Sequence, residues 1–331
     1  MSGMNIDNLE LMMVAVRAGE KARFHAPPNP WVGAVIVNDR GVVIAEGHTQ
    51  VPGEAHAEID ALRRAGDLAR GATMLVTLEP CGHVGRTGPC TDAIVRSGIA
   101  RVMVGTLDPD ARVSGRGVAL LRASGVDVEV GVGEDVVREQ LAAYLWHRVT
   151  GRPYVVAKVA ATLDGVVAMA DGSSQWITGE AARRDAHVLR AQSQAIIIGA
   201  GTVRSDDPAL TARLDDIVLE PLRVVLGTAP EGAKVRPCLE RSGDLGQILD
   251  ELGKLEVLQV LLEGGPTTTS AFFEAGLVNH VVWYLAPAFA GSAGTVGALR
   301  SLTSATIGSL RRGRVVNVAR IGEDIRVDVE V

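Results

Sequence analysis

The chain has three cysteines in 331 residues, an odd and low count that excludes a disulfide framework and fits a reducing, cytoplasmic setting. It has no basic excess either. With 33 Lys and Arg against 39 Asp and Glu, the net charge is -6, which leaves no electrostatic footprint for a nucleic-acid backbone or an anionic membrane. There is no long uninterrupted apolar run. The opening MSGMNIDNLELMMVAVRAGEKA places acidic residues before its apolar part, so it is expected to be neither a signal peptide nor a membrane span. It reads as an amphipathic helix with Leu9, Met12, Met13 and Val16 on one face. Tandem repeats, low-complexity tracts and a GxGxxG fingerprint are missing as well. Small metabolites are the partners that remain for such a chain.

What is present is apolar substance: 47% of the residues are hydrophobic, enough to fill the cores of two ordinary domains. Between residues 31 and 145, strand-like runs (WVGAVIVN, VVIAEG, ATMLVTLEP, ARVMVGTLDP, VDVEVGV) alternate with helical ones (AHAEIDALRRAG, PCTDAIVRSG, GRGVALLRASG). Such alternation predicts an α/β layer with a largely parallel sheet. A helix from Glu134 to His147 would close this unit. The turn Thr150-Gly151-Arg152-Pro153 then precedes a new strand, YVVAKVAATLDG, and places a domain boundary between residues 1–149 and 150–331. The second part is again α/β: AQSQAIIIGAGT, RVVLG and LQVLLEGGPTTTSAFFEAG supply strands and helices, and VNHVVWYLAP and the C-terminal run supply late antiparallel strands. Residues 229 to 256 are the least legible.

Two of the three cysteines fall in EPCGHVGRTGPC, residues 79 to 90. A redox pair and a shared metal both remain open for them. Upstream, a helix beginning AHAEIDAL puts His56 and Glu58 two residues apart near its N-terminus, and Cys90 opens the helix TDAIVRSG. Each candidate ligand thus reads as lying at a helix start, where the dipole favours a thiolate. One imidazole and two thiolates form a three-ligand zinc site, one ion per chain, with an open fourth position of the catalytic type. Such a site activates water near neutral pH. The order His-x-Glu, Pro-Cys, Cys is that of zinc deaminases, whose Glu moves protons without binding metal; Glu58 takes that role. A closed structural clip with His83 as fourth ligand stays open as the alternative.

LEPCGHVGRTGPC, with its long Cys-to-Cys spacing, together with NPWVGAVIV and EGHTQVPGEAHAE, resembles the deaminase domain of the RibD family of bifunctional riboflavin-biosynthesis proteins. The resemblance implies a cytidine-deaminase-like α/β/α layer and a pocket for a ribosylaminopyrimidine phosphate, contacted by Asn29, His48 and His83. Asp108-Pro109 and the RVSGRG loop, residues 112 to 117, would line the same pocket. The family's usual asparagine after that Asp-Pro is Asp110 here.

In the second part, Gly199-Ala200-Gly201-Thr202 and Gly264-Gly265-Pro266-Thr267 are strand-glycine-helix turns, which let a backbone approach phosphate closely. By residue type alone, Trp176 would be a core aromatic and Asp206-Asp207-Pro208 a helix-ending turn. Taken with KVAATLDG, SSQWITG and GTVRSDDPALTAR, these segments resemble the reductase domain of the same family. That implies a dihydrofolate-reductase-like fold and NADPH, held by Ala160, Trp176, Thr202, Asp206, Thr228 and Gly265, Pro266, Thr267, Thr268, Thr269, Ser270 and Ala271. Substrate would meet Lys158, Ser174, Arg190, Leu210, Arg213 and Glu263, the arginines offering bidentate donors to a sugar phosphate.

The whole chain would then deaminate 2,5-diamino-6-ribosylamino-4(3H)-pyrimidinone 5′-phosphate and reduce its ribosyl group to ribityl, as a cytoplasmic homodimer by family resemblance. The stretch from residue 228 to 255 is short for that family, GSAGTVGAL is unusually bland, and Cys238 reads as an incidental structural thiol.

Overall fold

The computed structural model describes residues 8–82, 88–110, 113–215, 217–291, 293–300 and 302–331. The chain divides into two compact units, Met1–Thr150 and Gly151–Val331.

Unit 1 begins with helix α1 (Asn8–Glu20), which buries Leu11, Met12, Ala15, Ala18 and Gly19 and leaves Leu9 exposed. The buried face is therefore rotated from the one expected, which had Leu9, Met13 and Val16 beside Met12. Contact with the first strand explains the shift: a Cβ on Gly33 would fall 1.8 Å from the Ala15 carbonyl oxygen, so only small residues fit where α1 crosses it.

Strands β1 (Gly33–Val37) and β2 (Val43–His48) form a hairpin, and helix α2 (Ala57–Ala65) leads to β3 (Thr73–Leu78). Helix α3 (Cys90–Ser97), β4 (Arg101–Thr106), α4 (Arg116–Ala123) and β5 (Asp127–Val130) follow. The sheet order is β2-β1-β3-β4-β5. Only β3, β4 and β5 are mutually parallel; β1 is antiparallel to both neighbours. The expected largely parallel sheet is thus half antiparallel, because the short β1–β2 turn, tied by the Asn38 side chain accepting from Arg40 and Val42 N–H, cannot make a parallel crossover.

The single helix expected from Glu134 is two, α5 (Glu134–Gln140) and α6 (Ala142–Thr150). Between them the Gln140 carbonyl accepts from Trp31 Nε1 at 2.9 Å and Arg23 Nη1 at 3.2 Å, which ties the break to the strand side of the unit.

Unit 2 starts with β6 (Tyr154–Thr162), the short β7 (Val166–Ala168), α7 (Glu180–Ala191), β8 (Ala195–Gly199) and α8 (Ala200–Asp206). The hairpin β9 (Ala212–Leu214) and β10 (Ile217–Leu219) precedes β11 (Leu222–Leu226), β12 (Leu239–Arg241), α9 (Leu245–Lys254) and β13 (Gln259–Leu262). Helix α10 (Pro266–Glu274), β14 (His280–Ala286), β15 (Val296–Gly297), β16 (Arg314–Ile321) and β17 (Asp324–Glu330) complete it.

Eight strands pair in the order β12-β11-β8-β13-β6-β14-β17-β16. The first six are parallel; β17 and β16 run antiparallel at the far edge. So β14, expected to be antiparallel, pairs parallel with β6 and antiparallel only with β17. Val155, Ala157, Ile197 and Leu262 belong to one buried cluster and Val156, Ile196, Ile198 and Leu261 to another. Alternate residues therefore face opposite sides, both covered, as a parallel sheet requires. In the poorly legible stretch, α9 is set by Asp244, whose side chain accepts from Gln247 N–H at 2.8 Å. Among the described residues no helix is long and apolar enough to cross a membrane.

Candidate functional site

In unit 1, His56, Cys81 and Cys90 offer ligand atoms that all lie within 4.8 Å of one another. His56 is the N-cap of α2 but makes no side-chain cap bond, which leaves its ring free to turn toward the sulfurs. Its Nδ1 is 3.6 Å from Cys81 Sγ and 3.3 Å from Cys90 Sγ. Zinc–sulfur bonds of about 2.3 Å and zinc–nitrogen bonds of about 2.1 Å at tetrahedral angles put nitrogen and sulfur about 3.6 Å apart, so the donor set fits zinc. Cys90 is the first residue of α3, and its backbone N–H donates to Cys81 Sγ at 3.4 Å. Cys81 itself lies in the loop after β3, not at a helix start as expected; it shares the N-terminus of α3 through that bond.

Proton positions in this cluster are interdependent. The hydrogen bond with Cys81 draws the His56 imidazole up to about 9, against the effect of burial. A hydrogen bond from Cys90 holds the Cys81 thiol well below its ordinary range, while Cys90, bonded to Cys81 and buried, is pushed up. Glu58, in the first turn of α2 and 4% exposed, is pushed up to about 7 by burial, with His56 opposing. Such a carboxyl gains and loses a proton near neutral pH, which suits a proton shuttle.

His48 ends β2, and its backbone N–H donates to Asp60 Oδ2 at 3.2 Å. Asp60 is on α2, one turn beyond His56, so His48 is tied to the ligand-bearing helix. Asn29 lies in the loop before β1, where its N–H donates to the Ala26 carbonyl. No contact places Asn29 against the three ligands. His83 and Arg112 lie outside the described residues. Asp108 is buried and accepts from Tyr144 Oη at 3.0 Å and Asp110 N–H at 2.9 Å.

In unit 2 a cavity of about 680 Å³ opens at the carboxyl ends of the parallel strands, where open α/β sheets bind ligands. Lys158, Ala160, Ser174, Trp176, Arg190, Thr202, Asp206, Leu210, Arg213, Glu263, Gly265, Pro266 and Thr269 all line it. Thr228, Thr267, Thr268, Ser270 and Ala271 are not among its lining residues. Thr228 is exposed beyond β11, and Ser270 is buried inside α10. Thr268 instead fills the space between two glycines: a Cβ on Gly199 or Gly264 would come within 2.5 or 2.7 Å of its side chain. Gly265 caps α10 with Pro266 at its start, and Gly265 N–H donates to Thr202 Oγ1 at 3.2 Å. A helix start next to a hydroxyl is the kind of place where a phosphate group can bind.

Glu263 is the electrostatic centre of the cavity. Arg190 grips it with Nε at 2.5 Å and Nη2 at 2.9 Å, and Lys158 Nζ stands 3.6 Å away. Burial alone would raise this carboxyl, but Arg190 and then Lys158 outweigh it and hold it at about 2. Arg190 Nη1 also donates to the Thr211 carbonyl, so its fork is committed to the protein, and Arg213 is the more exposed guanidinium. Trp176 is 70% exposed, with Arg183 4.7 Å above its ring, and is no core aromatic. Asp206 does end α8, and Asp207 caps it at φ 40°.

Three residues escaped the sequence reading. His187 Nδ1 meets the Thr211 carbonyl at 3.1 Å and its Nε2 meets Arg213 Nη2 at 3.3 Å, so the ring orders both; the signal was its position three residues before Arg190 on one helix face. Arg183 and Lys234 also line the cavity, and nothing in their sequence context marked them.

The family described as the cytidine and deoxycytidylate deaminase zinc-binding region matches residues 6–106, and the RibD C-terminal domain matches residues 153–327. The chain is 38% identical to riboflavin biosynthesis protein RibD of Aquifex aeolicus, with 95% of this chain and 96% of that protein covered. It is 38% identical to the protein of that name from Escherichia coli, with 85% and 88% covered. The solved structure of Acinetobacter baumannii RibD superposes with a TM-score of 0.89 at 36% identity, covering 98% of both chains. A diaminohydroxyphosphoribosylaminopyrimidine deaminase/5-amino-6-(5-phosphoribosylamino)uracil reductase from Thermotoga maritima gives a TM-score of 0.87 at 34% identity, again with 98% of both covered.

Proposed function

This chain belongs to the RibD family of bifunctional riboflavin-biosynthesis enzymes, and from that premise we propose how its residues divide the work. Residues 1–149 hydrolyse the diaminopyrimidine ribosyl phosphate to the aminouracil and ammonia, and residues 150–331 reduce the opened ribosyl group with NADPH. The observation that carries the reading is the His56, Cys81 and Cys90 cluster, with the buried Glu58 two residues after His56 in the first turn of α2.

His56, Cys81 and Cys90 would hold zinc, which when bound supplies the Lewis acidity that makes water nucleophilic near neutral pH. Glu58 takes a proton from the attacking water and delivers it to the ring nitrogen, then takes the proton left on the added oxygen and delivers it to the departing amine. Water adds at the aminated carbon and ammonia leaves, so Glu58 ends as it began. Asn29 and His48 orient the pyrimidine.

In the reductase, the Gly265 turn, Thr202, Trp176 and Asp206 hold the cofactor, which when bound supplies the hydride. Arg213, steadied by His187, faces the substrate phosphate. Arg190 keeps Glu263 ionised next to Lys158, so that this pair can orient the sugar hydroxyls. The acidic chain, with its free cysteines, works in the cytoplasm, and by family resemblance as a homodimer.

Glu58→Gln tests the assignment. It should retain stoichiometric zinc and NADPH binding while ammonia release falls by at least about a thousandfold, the upper range of general acid–base contributions and beyond. Deamination at the normal rate by that variant would remove Glu58 from the mechanism.

A further inference from the structure

Glu79 is buried, 4% exposed, and two residues before the ligand Cys81, yet the deaminase chemistry above makes no use of it. Its Oε2 accepts from Gly115 N–H at 2.9 Å and from Asp108 N–H at 3.4 Å, and its Oε1 accepts from Val118 N–H at 3.2 Å. Gly115 is the N-cap of α4, and Val118 is in its first turn. The carboxylate therefore takes helix donors that have no partner within the helix, and ionised acceptors make such bonds short and strong.

Close approach reinforces the clamp. A Cβ on Gly117 would fall 1.9 Å from the Pro80 carbonyl oxygen and 3.3 Å from Glu79 Oε1, and one on Gly82 would fall 2.6 Å from Leu120 Cδ1. The segment that carries Cys81 thus rests directly on the first turn of α4. Through Asp108 the same carboxylate also holds the start of the segment leading into that helix. Cys81 has a separate hold on the metal cluster through Cys90 N–H. The clamp therefore governs where Asp108 and the start of α4 stand relative to the Cys81 segment more than the ligand set itself.

We propose that Glu79 is a positioning residue of the deaminase, fixing the register between the Cys81 segment, the Asp108 backbone and the first turn of α4 so that these meet the pyrimidine substrate. The proposal rests on the deaminase reading of unit 1. It assigns Glu79 to substrate affinity, because Glu58 and Cys90 sit on α2 and α3 and His56 caps α2, outside the clamp. Loss of binding shared equally by substrate and transition state raises KM and spares kcat.

Glu79→Gln keeps the shape but turns one acceptor into a donor that faces an N–H. In the full chain loaded with zinc, ammonia release should show KM raised at least about tenfold with kcat within about threefold, and zinc content and NADPH-dependent reduction of the deaminated product unchanged. Val118→Pro removes a single donor at a first-turn position where proline is tolerated, and should raise KM in the same direction even if the first variant folds poorly. Unchanged KM in both variants, or a fall in zinc content and kcat with KM unmoved, overturns the proposal. Failure of the unmodified enzyme to release ammonia at all would instead sink the deaminase reading beneath it.

Discussion

The imidazole of His56 lies between two sulfurs, and in the metal-free cluster it carries a proton up to about pH 9. Cys90 keeps its thiol proton well above the ordinary range, whereas Cys81, as acceptor, is already the thiolate. Zinc takes a neutral imidazole and two thiolates, so its binding must expel the protons that two of these groups hold. The sign follows directly: near neutral pH, affinity rises with pH and zinc is released on acidification. Uptake of one ion at about pH 7 should release about two protons, measured by calorimetric titration in buffers of different ionisation enthalpy. Release of none would mean that the cluster is fully deprotonated beforehand and that these hydrogen bonds are misassigned.

At the scale of elements, His56 and Cys90 are placed by where helices begin, and Cys81 by a loop whose sulfur accepts from the first N–H of α3. Gly33 shows how tightly this scaffold is drawn. Its missing side chain lets α1 lie on β1, with the Ala15 carbonyl where a Cβ would be. Gly33→Ala should therefore lower the stability of unit 1 by about 3 kcal/mol, the upper range for overpacking, seen as a lower urea midpoint for zinc release. An unchanged midpoint would show that α1 can slide at little cost.

The same scale explains what the sequence made legible. His56, Glu58, Cys81 and Cys90 were readable because their spacing and order constrain them, and the strands because their apolar runs are unbroken. The antiparallel β1 and the parallel β14 were not, since a run such as HVVWYLA states its burial but not its neighbours. The break at Gln140 depends on Trp31, 109 residues away, and no local pattern announces it. In the cavity of unit 2, Trp176 looked like core by type, but its exposure under Arg183 is a tertiary fact. Thr268 sat in a plausible phosphate turn, yet its side chain packs between glycines.

Across the whole molecule, two α/β units carry two chemistries of different kind. One collects soft metal ligands and a carboxyl poised near neutral pH; the other surrounds a buried carboxylate with cations beside a bare helix start. In the proposed reading each reaction depends on its own unit's residues, and reduction follows deamination. The most direct measurement supplies the zinc-loaded chain with the diaminopyrimidine ribosyl phosphate, with and without NADPH, and follows ammonia and NADPH separately. The account predicts ammonia release in both cases, and NADPH oxidation only when that cofactor is present and after ammonia has begun to appear. NADPH consumed with no ammonia released, or no ammonia from the zinc-loaded chain, would contradict it.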